Sequence, residues 1–540
     1  MPDSPPAPAP APAQRRGGGA LAVGAGIFLS RIAGLVRERA IAHYLGITPE
    51  AGAFRAALRI PNLLQNLLGE GVLSASFIPV YARLRAEGKH DEASRVARAV
   101  GTLLALVASA IALVGFLFAG PLVEILAPGF QGSSRALTVD LVRILFPGVA
   151  LLVMSAWCLG VLNSHRKFLL PYTAPVLWNA AQIAAVIVAG RHFAGHDDDV
   201  ARWLAYGAVI GSAAQLLVQL PTVIAILGGL RPSLATSDPG VRATLRAFVP
   251  VLLGRGSVQL SSYVDQVIAS YLGDTLVAAI ANAQPLALLP VSLFGMAVSA
   301  AELPEMSSAT GSLDERAAAL RERLRGALRR VVFMVVPSAV ALVAIGQPIV
   351  ALLFQSGRFD AADVREVWII LAGSALGLSA GTQGQVLKSA FYALHDTKSP
   401  LYAALVRVAI TGSTGWIVAL PLRAALGYDA VWGAFGLTAS AGFAAWIEFL
   451  LLRRWLAARL GEVPIPTRLG VGVLGAAIIA GALAYATAWL AAGLGASERV
   501  AALPAIGVYG AAYLGITLAA KLPEARGFVR RIPVLRRLAR

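Results

Sequence analysis

Runs of about 20 apolar residues recur along this chain, and they limit its fold more than any other feature. As a helix, each such run covers the roughly 30 Å hydrocarbon core of a bilayer. Clear cases lie at 101–119, 171–190, 331–345, 399–421 and 470–492. Residues are 57% hydrophobic and only 14% charged, which is not the balance of a soluble domain. The expected fold class is an all-α polytopic membrane protein.

Breaks at Gly, Pro and charge clusters divide the chain into fourteen expected spans. Six parts follow from them. Residues 1–19 are a Pro/Ala-rich N-terminus expected to be disordered. An N-lobe of spans 1–6 covers 20–228, a linker 229–246, and a C-lobe of spans 7–12 covers 247–460. Spans 13 and 14 lie in 461–521, and a basic tail occupies 522–540. The first apolar run carries charges and has no clean small-residue cleavage site, so it reads as a mature helix and not a signal peptide. A single cysteine, Cys158, excludes a disulfide framework.

The net charge of +17 is assigned to the membrane and not to nucleic acid. When alternate loops and both termini are grouped, their Lys and Arg outnumber those of the opposite loops roughly four to one, which places both termini in the cytoplasm. Basic residues such as Arg321 to Arg330 are then anchors at the membrane surface.

A repeat is hidden in the chain. Ile41-Ala-His-Tyr-Leu-Gly46 recurs as Ile268-Ala-Ser-Tyr-Leu-Gly273, 227 residues later, with Glu38 matched by Asp265. Pro79 is matched by Pro304 and Pro171 by Pro400. Trp203, Ala205 and Gly207 are matched by Trp432, Ala434 and Gly436. Ordered matches at nearly constant spacing make spans 1–6 and 7–12 two parallel copies of one six-helix unit. Such a plan places the substrate between two lobes that rock to alternate access.

Four charges fall within nine residues of the first span: Arg31, Arg37, Glu38 and Arg39. On a helical wheel Ile27, Ser30, Arg31, Gly34, Arg37, Glu38 and Ile41 share one face, and Arg39 lies off it. In span 2, Arg55, Arg59, Asn62, Asn66 and Glu70 form a second stripe if any kink at Pro61 is ignored. In span 7, Arg255, Gln259, Ser262 and Gln266 form a third, with Asp265 nearby. A charge at the bilayer centre costs at least about 2.5–3.5 kcal/mol, so these stripes need a reason. Buried pairs such as Arg31–Glu38, or side chains snorkelling to the interface, are the plain reading. Yet the first two spans hold five basic residues against two acids, and surplus forked guanidiniums suit an anion such as phosphate. No phosphate-binding glycine loop, metal cluster or nucleophile–base set occurs in the sequence. Neither an enzyme nor an ATP-driven pump is expected, and no cofactor, although coupling to the membrane potential or an ion stays open.

At these residues the chain resembles the MurJ (MviN) lipid II flippases of the multidrug/oligosaccharidyl-lipid/polysaccharide exporter superfamily. The resemblance rests on Ser30-Arg-Ile-Ala-Gly-Leu-Val-Arg-Glu38, Arg59-Ile-Pro-Asn-Leu-Leu64 and Glu70-Gly-Val-Leu-Ser-Ala-Ser-Phe-Ile-Pro79. Arg143-Ile-Leu-Phe-Pro147, Gly160-Val-Leu-Asn163 and Ala390-Phe-Tyr-Ala-Leu-His-Asp-Thr-Lys-Ser-Pro400 extend it over nearly the whole chain. It implies transfer of an undecaprenyl-pyrophosphate-linked peptidoglycan precursor, a disaccharide-pentapeptide, to the outer leaflet of the bacterial cytoplasmic membrane. Membrane lipids are the other partners, and spans 13–14 would form a groove for the lipid tail. By the same likeness Arg31 and Arg37 would contact the pyrophosphate, Glu38 would orient them, and Arg59 would add positive potential. The chain departs from the family pattern at Gln65-Asn66, where a basic pair is usual, at Gly52 in place of an acid, and at Gln284-Pro285. Arg55 and Arg255 are candidates to supply the missing charge. Two other readings are an exporter of another lipid-linked saccharide or small amphiphile, and a non-transporting membrane scaffold.

Overall fold

The computed structural model describes residues 17–229, 231–292, 313–394, 396–462 and 467–531. Among them, eleven helices are long and apolar enough to cross a membrane. In the N-terminal half run α1 (Gly17–Leu45), α2 (Pro49–Leu68), α3 (Glu70–Ala86), α4 (His90–Leu117), the short α5 (Ala119–Leu126), α6 (Gly132–Ser164), the short α7 (Leu169–Thr173), α8 (Pro175–His192) and α9 (Asp197–Leu227). The C-terminal half holds α10 (Pro239–Leu272), α11 (Asp274–Pro290), α12 (Leu313–Ala344), α13 (Gly346–Phe354), α14 (Ala361–Ala393), α15 (Lys398–Ile417) and α16 (Ala430–Leu460). Three more close the chain: α17 (Thr467–Gly493), α18 (Glu498–Ala519) and α19 (Pro523–Arg531).

Local chemistry sets the helix ends. Thr48 caps α2 by accepting from Ala51 N at 3.3 Å, with Pro49 at the first helical position, where a missing N–H costs nothing. Asp238, followed by Pro239, opens α10 in the same way, accepting from Gly240 N at 2.8 Å. Asp360 accepts from Ala362 N and Asp363 N to start α14. Spans expected as single helices break in places. The second breaks at Gly69, between α2 and α3, while the helix runs on through Pro61. The third breaks at Phe118 and the ninth at Ile345. Expected spans 1 and 7 are helices of 29 and 34 residues that carry several charges each, and residues 293–307 of span 8 lie outside the described residues.

One set of helix pairings occurs in both halves. In the first, α1 packs on α8, α2 and α4 on α6, and α9 on both α6 and α8. In the second, α10 packs on α15, α11 and α12 on α14, and α16 on both α14 and α15. The centre of each half is one long helix, α6 or α14, and Trp157, Phe146 and Phe391 are fully buried there. Between α14 and α16 the backbones meet directly, because a Cβ on Gly377 would stand 2.4 Å from Gly442 Cα. Only glycines allow that crossing.

The halves meet at two levels. Near the Leu45 end, α2 packs on α11; a Cβ added to Gly52 would lie 2.0 Å from Asp274 O, and one on Gly129 2.2 Å from Ser270 O. Arg39, whose role the wheel left open, donates there to Leu352 O and Leu353 O at 3.0 and 2.8 Å. At the opposite level α3 packs against α10. The loop after α6 closes on α3, where the Tyr81 hydroxyl and His165 Nε2 lie 2.9 Å apart and Arg85 donates to Ser164 O at 2.6 Å. Burial, with Arg85 nearby, pushes the His165 imidazole down to about 4. His395, at the matching place in the repeat, lies outside the described residues.

Candidate functional site

The site grows from Glu38, a residue 5% exposed, two turns before the Leu45 end of α1. Arg37 donates to one oxygen and Arg55, from α2, to the other. This corrects the Arg31–Glu38 pairing that the wheel allowed. Arg37 sits one residue from Glu38, yet its long side chain folds back to reach it. The Arg37 guanidinium also lies 4.8 Å from the centre of the Trp178 ring, a cation–π contact that offsets part of its burial. Arg55 reaches further, donating to Asn282 Oδ1 of α11 at 3.2 Å.

Arg59, one turn along α2, is engaged as well. It donates to Ser262 O at 3.0 Å and Gln266 Oε1 at 3.3 Å, both on α10, and Tyr263 Oη donates to Arg59 O at 3.3 Å. Arg59 therefore fastens the two halves together and is not a free charge. Arg31 differs from both. It is exposed, on the same side of α1 as Glu38, and has no ion-pair or hydrogen-bond partner among the described residues. Asn62 is half-buried and lines neither cavity described below. Arg255 lies on α10, and its side chain is outside the described residues, as is that of Glu70.

Two cavities flank this cluster. One, of about 650 Å³, lies in the N-terminal half and is lined by Arg37, Ser30, Gln65, Asn66, Asn179 and Gln215 among others. Gln65 and Asn66, where a basic pair is usual in the family, thus line this cavity. The other, of about 310 Å³, lies in the C-terminal half and is lined by Arg59, Asp265, Gln284, Gln385, Lys388 and Arg407 among others. Lys388 and Arg407 both pair with Glu448, at 2.7 and 3.2 Å, and Glu448 is 2% exposed. The sequence reading missed these three. They come from three different helices, and only spatial proximity joins them.

Helices of membrane-crossing length in two similarly paired halves, with buried guanidiniums at their junction and a polar cavity in each half, define a multi-span membrane transporter. The sequence matches the family described as "Lipid II flippase MurJ" over residues 41–502. It is 33% identical over 473 residues to the lipid II flippase MurJ of Burkholderia cenocepacia, covering 86% of this chain and 89% of that one. It is 29% identical over 516 residues to a probable lipid II flippase MurJ of Vibrio cholerae, covering 92% and 94%. The chain belongs to the MurJ lipid II flippase family, a family of transporters. Its fold is similar to a solved lipid II flippase MurJ in an inward closed conformation, with TM-score 0.76, 21% identity, and 92% and 98% of the two chains covered. It is also similar to an inward-facing multidrug resistance MATE family transporter of the MOP superfamily, at TM-score 0.63, 16% identity, and 82% and 98% coverage.

Proposed function

We propose that this protein carries lipid II, the undecaprenyl-pyrophosphate-linked peptidoglycan precursor, from the inner to the outer leaflet of the bacterial cytoplasmic membrane by alternating access. One observation carries the reading beyond family membership. At the junction of the halves, Glu38 is already held by two guanidiniums, and Arg31 stands on the same side of α1 with no partner. A guanidinium left over beside a saturated carboxylate is available to an anionic headgroup. In this reading Arg31 and Arg37 bind the pyrophosphate, Glu38 and Arg55 set the rotamer of Arg37, and the amides of Asn66 and Asn179 face the saccharide. Fourteen spans, counting α1, α10 and α11, put both termini in the cytoplasm, and the two six-helix units form two parallel repeats. The Leu45 end then faces outside and is shut by Gly52 and Gly129. The groove for the lipid tail lies along α17 and α18. Transport draws on no bound cofactor in this scheme.

The test is depletion of the resident lipid II flippase in a bacterial strain that carries this chain, with lipid II in the outer leaflet measured directly. Growth and outer-leaflet lipid II are expected to be restored. Failure at normal membrane levels of the protein would overturn the proposal. Orientation is checked with cysteines at Lys89 and Gly495, which should react with an impermeant thiol reagent from the inside and the outside respectively.

A further inference from the structure

The two cavities correspond through the sequence echo. Leu152, Ala156, Leu159 and Trp178 line the N-terminal one. The residues 229 positions on, Gly381, Gln385, Lys388 and Arg407, line the C-terminal one. Behind them, Glu448 stands 229 positions after Gln219. At matched places, then, the first cavity presents a leucine and an indole, and the second an ammonium and a guanidinium. Packing does not require those charges, since the matched wall is built without them.

Glu448 offsets the cost of burying them, but one carboxylate does not need two cations. Glu448 is sealed at 2% exposure, whereas the Lys388 and Arg407 side chains are 23% and 35% exposed and line the cavity. With Arg59 and Asp265 on the facing wall, three cations meet two carboxylates. Two buried donors, Arg407 Nε and Gln266 Nε2, have no partner among the described residues. An unpaired buried donor is destabilising, and a bound acceptor would recover that cost.

We propose that this C-terminal cavity is a subsite for a peptide-borne carboxylate, and that it seats the peptide arm of the lipid-linked cargo while the pyrophosphate stays with α1. The inference rests on the cargo reading above. One surplus positive charge matches a monoanion and not a pyrophosphate. Amide side chains at Gln284 and Gln385 can exchange hydrogen bonds with peptide groups on either side of a carboxylate. The volume lies at the lower end of small-ligand sites, which suits the end of a peptide and not a disaccharide. Because Arg59 of α2 forms part of the wall, the cavity reaches the junction between the halves, where one extended cargo can touch both sites.

The experiment uses the full-length protein in lipid nanodiscs and measures binding of three lipids: lipid II, lipid II with its terminal peptide carboxylate converted to a primary amide, and undecaprenyl pyrophosphate alone. Wild type is expected to bind lipid II roughly tenfold more tightly than the amide, as loss of one charge-assisted contact predicts. Arg407→Gln should bind both alike. Lys388→Met is the second variant, and Glu448 keeps one cationic partner in each. Arg31→Ala should weaken all three lipids and leave the carboxylate-to-amide ratio intact. Equal binding of acid and amide by wild type, or a tenfold ratio retained in both cavity variants, would overturn the subsite and leave the cargo reading standing. No binding of any of the three lipids would overturn both.

Discussion

Arg55 donates to Asn282 Oδ1 at 3.2 Å, and the two residues are 227 positions apart, the interval at which Ile41–Gly46 recurs as Ile268–Gly273. The contact thus joins two positions separated by the interval of the sequence echo. Arg55 also holds Glu38, so one guanidinium joins that junction to the carboxylate of α1.

Replacing Arg55 with Met leaves Asn282 without its donor and Glu38 with Arg37 alone. We expect a loss of about 1–3 kcal/mol, the usual cost of a buried group stripped of a partner. Adding Glu38→Gln should lower the melting temperature further and leave transport impaired, because the buried Arg37 guanidinium then loses its carboxylate as well. Thermal melting in detergent and lipid II translocation in cells read the two effects separately. A double variant that regains transport would show that Glu38 serves stability only.

Arg31 should behave in the opposite way. With no partner among the described residues, its loss is expected to change stability by no more than about 0.5 kcal/mol. Transport in Arg31→Ala should fall at least about tenfold, and Arg31→Lys should do nearly as badly, since it keeps the charge and loses the fork. Wild-type translocation in Arg31→Ala would remove this residue from the site.

Gly52→Ala tests the seal at the Leu45 end. The new methyl would meet Asp274 O at 2.0 Å, so the closed arrangement becomes strained and the open one gains population. Val277, which lines the C-terminal cavity, can report this as Val277→Cys in a Cys158→Ala background. Faster modification by an impermeant reagent from the outside is the expected result, and an unchanged rate would show that this seal is not the barrier.

The loop after α6 should respond to acid. His165 takes up a proton only near pH 4 when folded, against about 6.5 when unfolded, so the unfolded state binds more protons between those values. Its contribution to stability is complete above pH 6.5 and declines as the pH falls toward 4. Melting of the wild type between pH 7.5 and 5 should fall more steeply than that of His165→Gln. Parallel curves would mean that other groups set the acid response.

Sequence alone exposed the charges of α1 because Arg31, Arg37 and Glu38 lie close together in one helix, where a 100° step puts them on one face. It could not expose the charge cluster of the C-terminal half. Lys388, Arg407 and Glu448 come from α14, α15 and α16, and no local period links them. The partners of Glu38 were misjudged for a related reason. A wheel ranks neighbours along one helix, and it has no means of registering Arg55 arriving from another. Gly52 reads as a departure from the family in sequence, yet in the fold its lack of a side chain admits the Asp274 backbone, a requirement set 222 residues away. The second span breaks at Gly69, although Pro61 is the stronger helix breaker by residue type.

That break bears on a hazard every carrier of a bulky cargo faces, namely leakage of ions while it works. The segment before Gly69 belongs to the seal with α11, and the segment after it to the contact with α10 at the other level. A rigid rod through both would act as a seesaw, opening one barrier at the instant the other shut and passing through a moment when neither held. A jointed rod allows one barrier to set before the other lets go. Straightening the joint with Gly69→Ala is therefore expected to raise ion conductance across proteoliposomes, so that the glycine guards the membrane's electrical insulation as much as it shapes the route of the lipid.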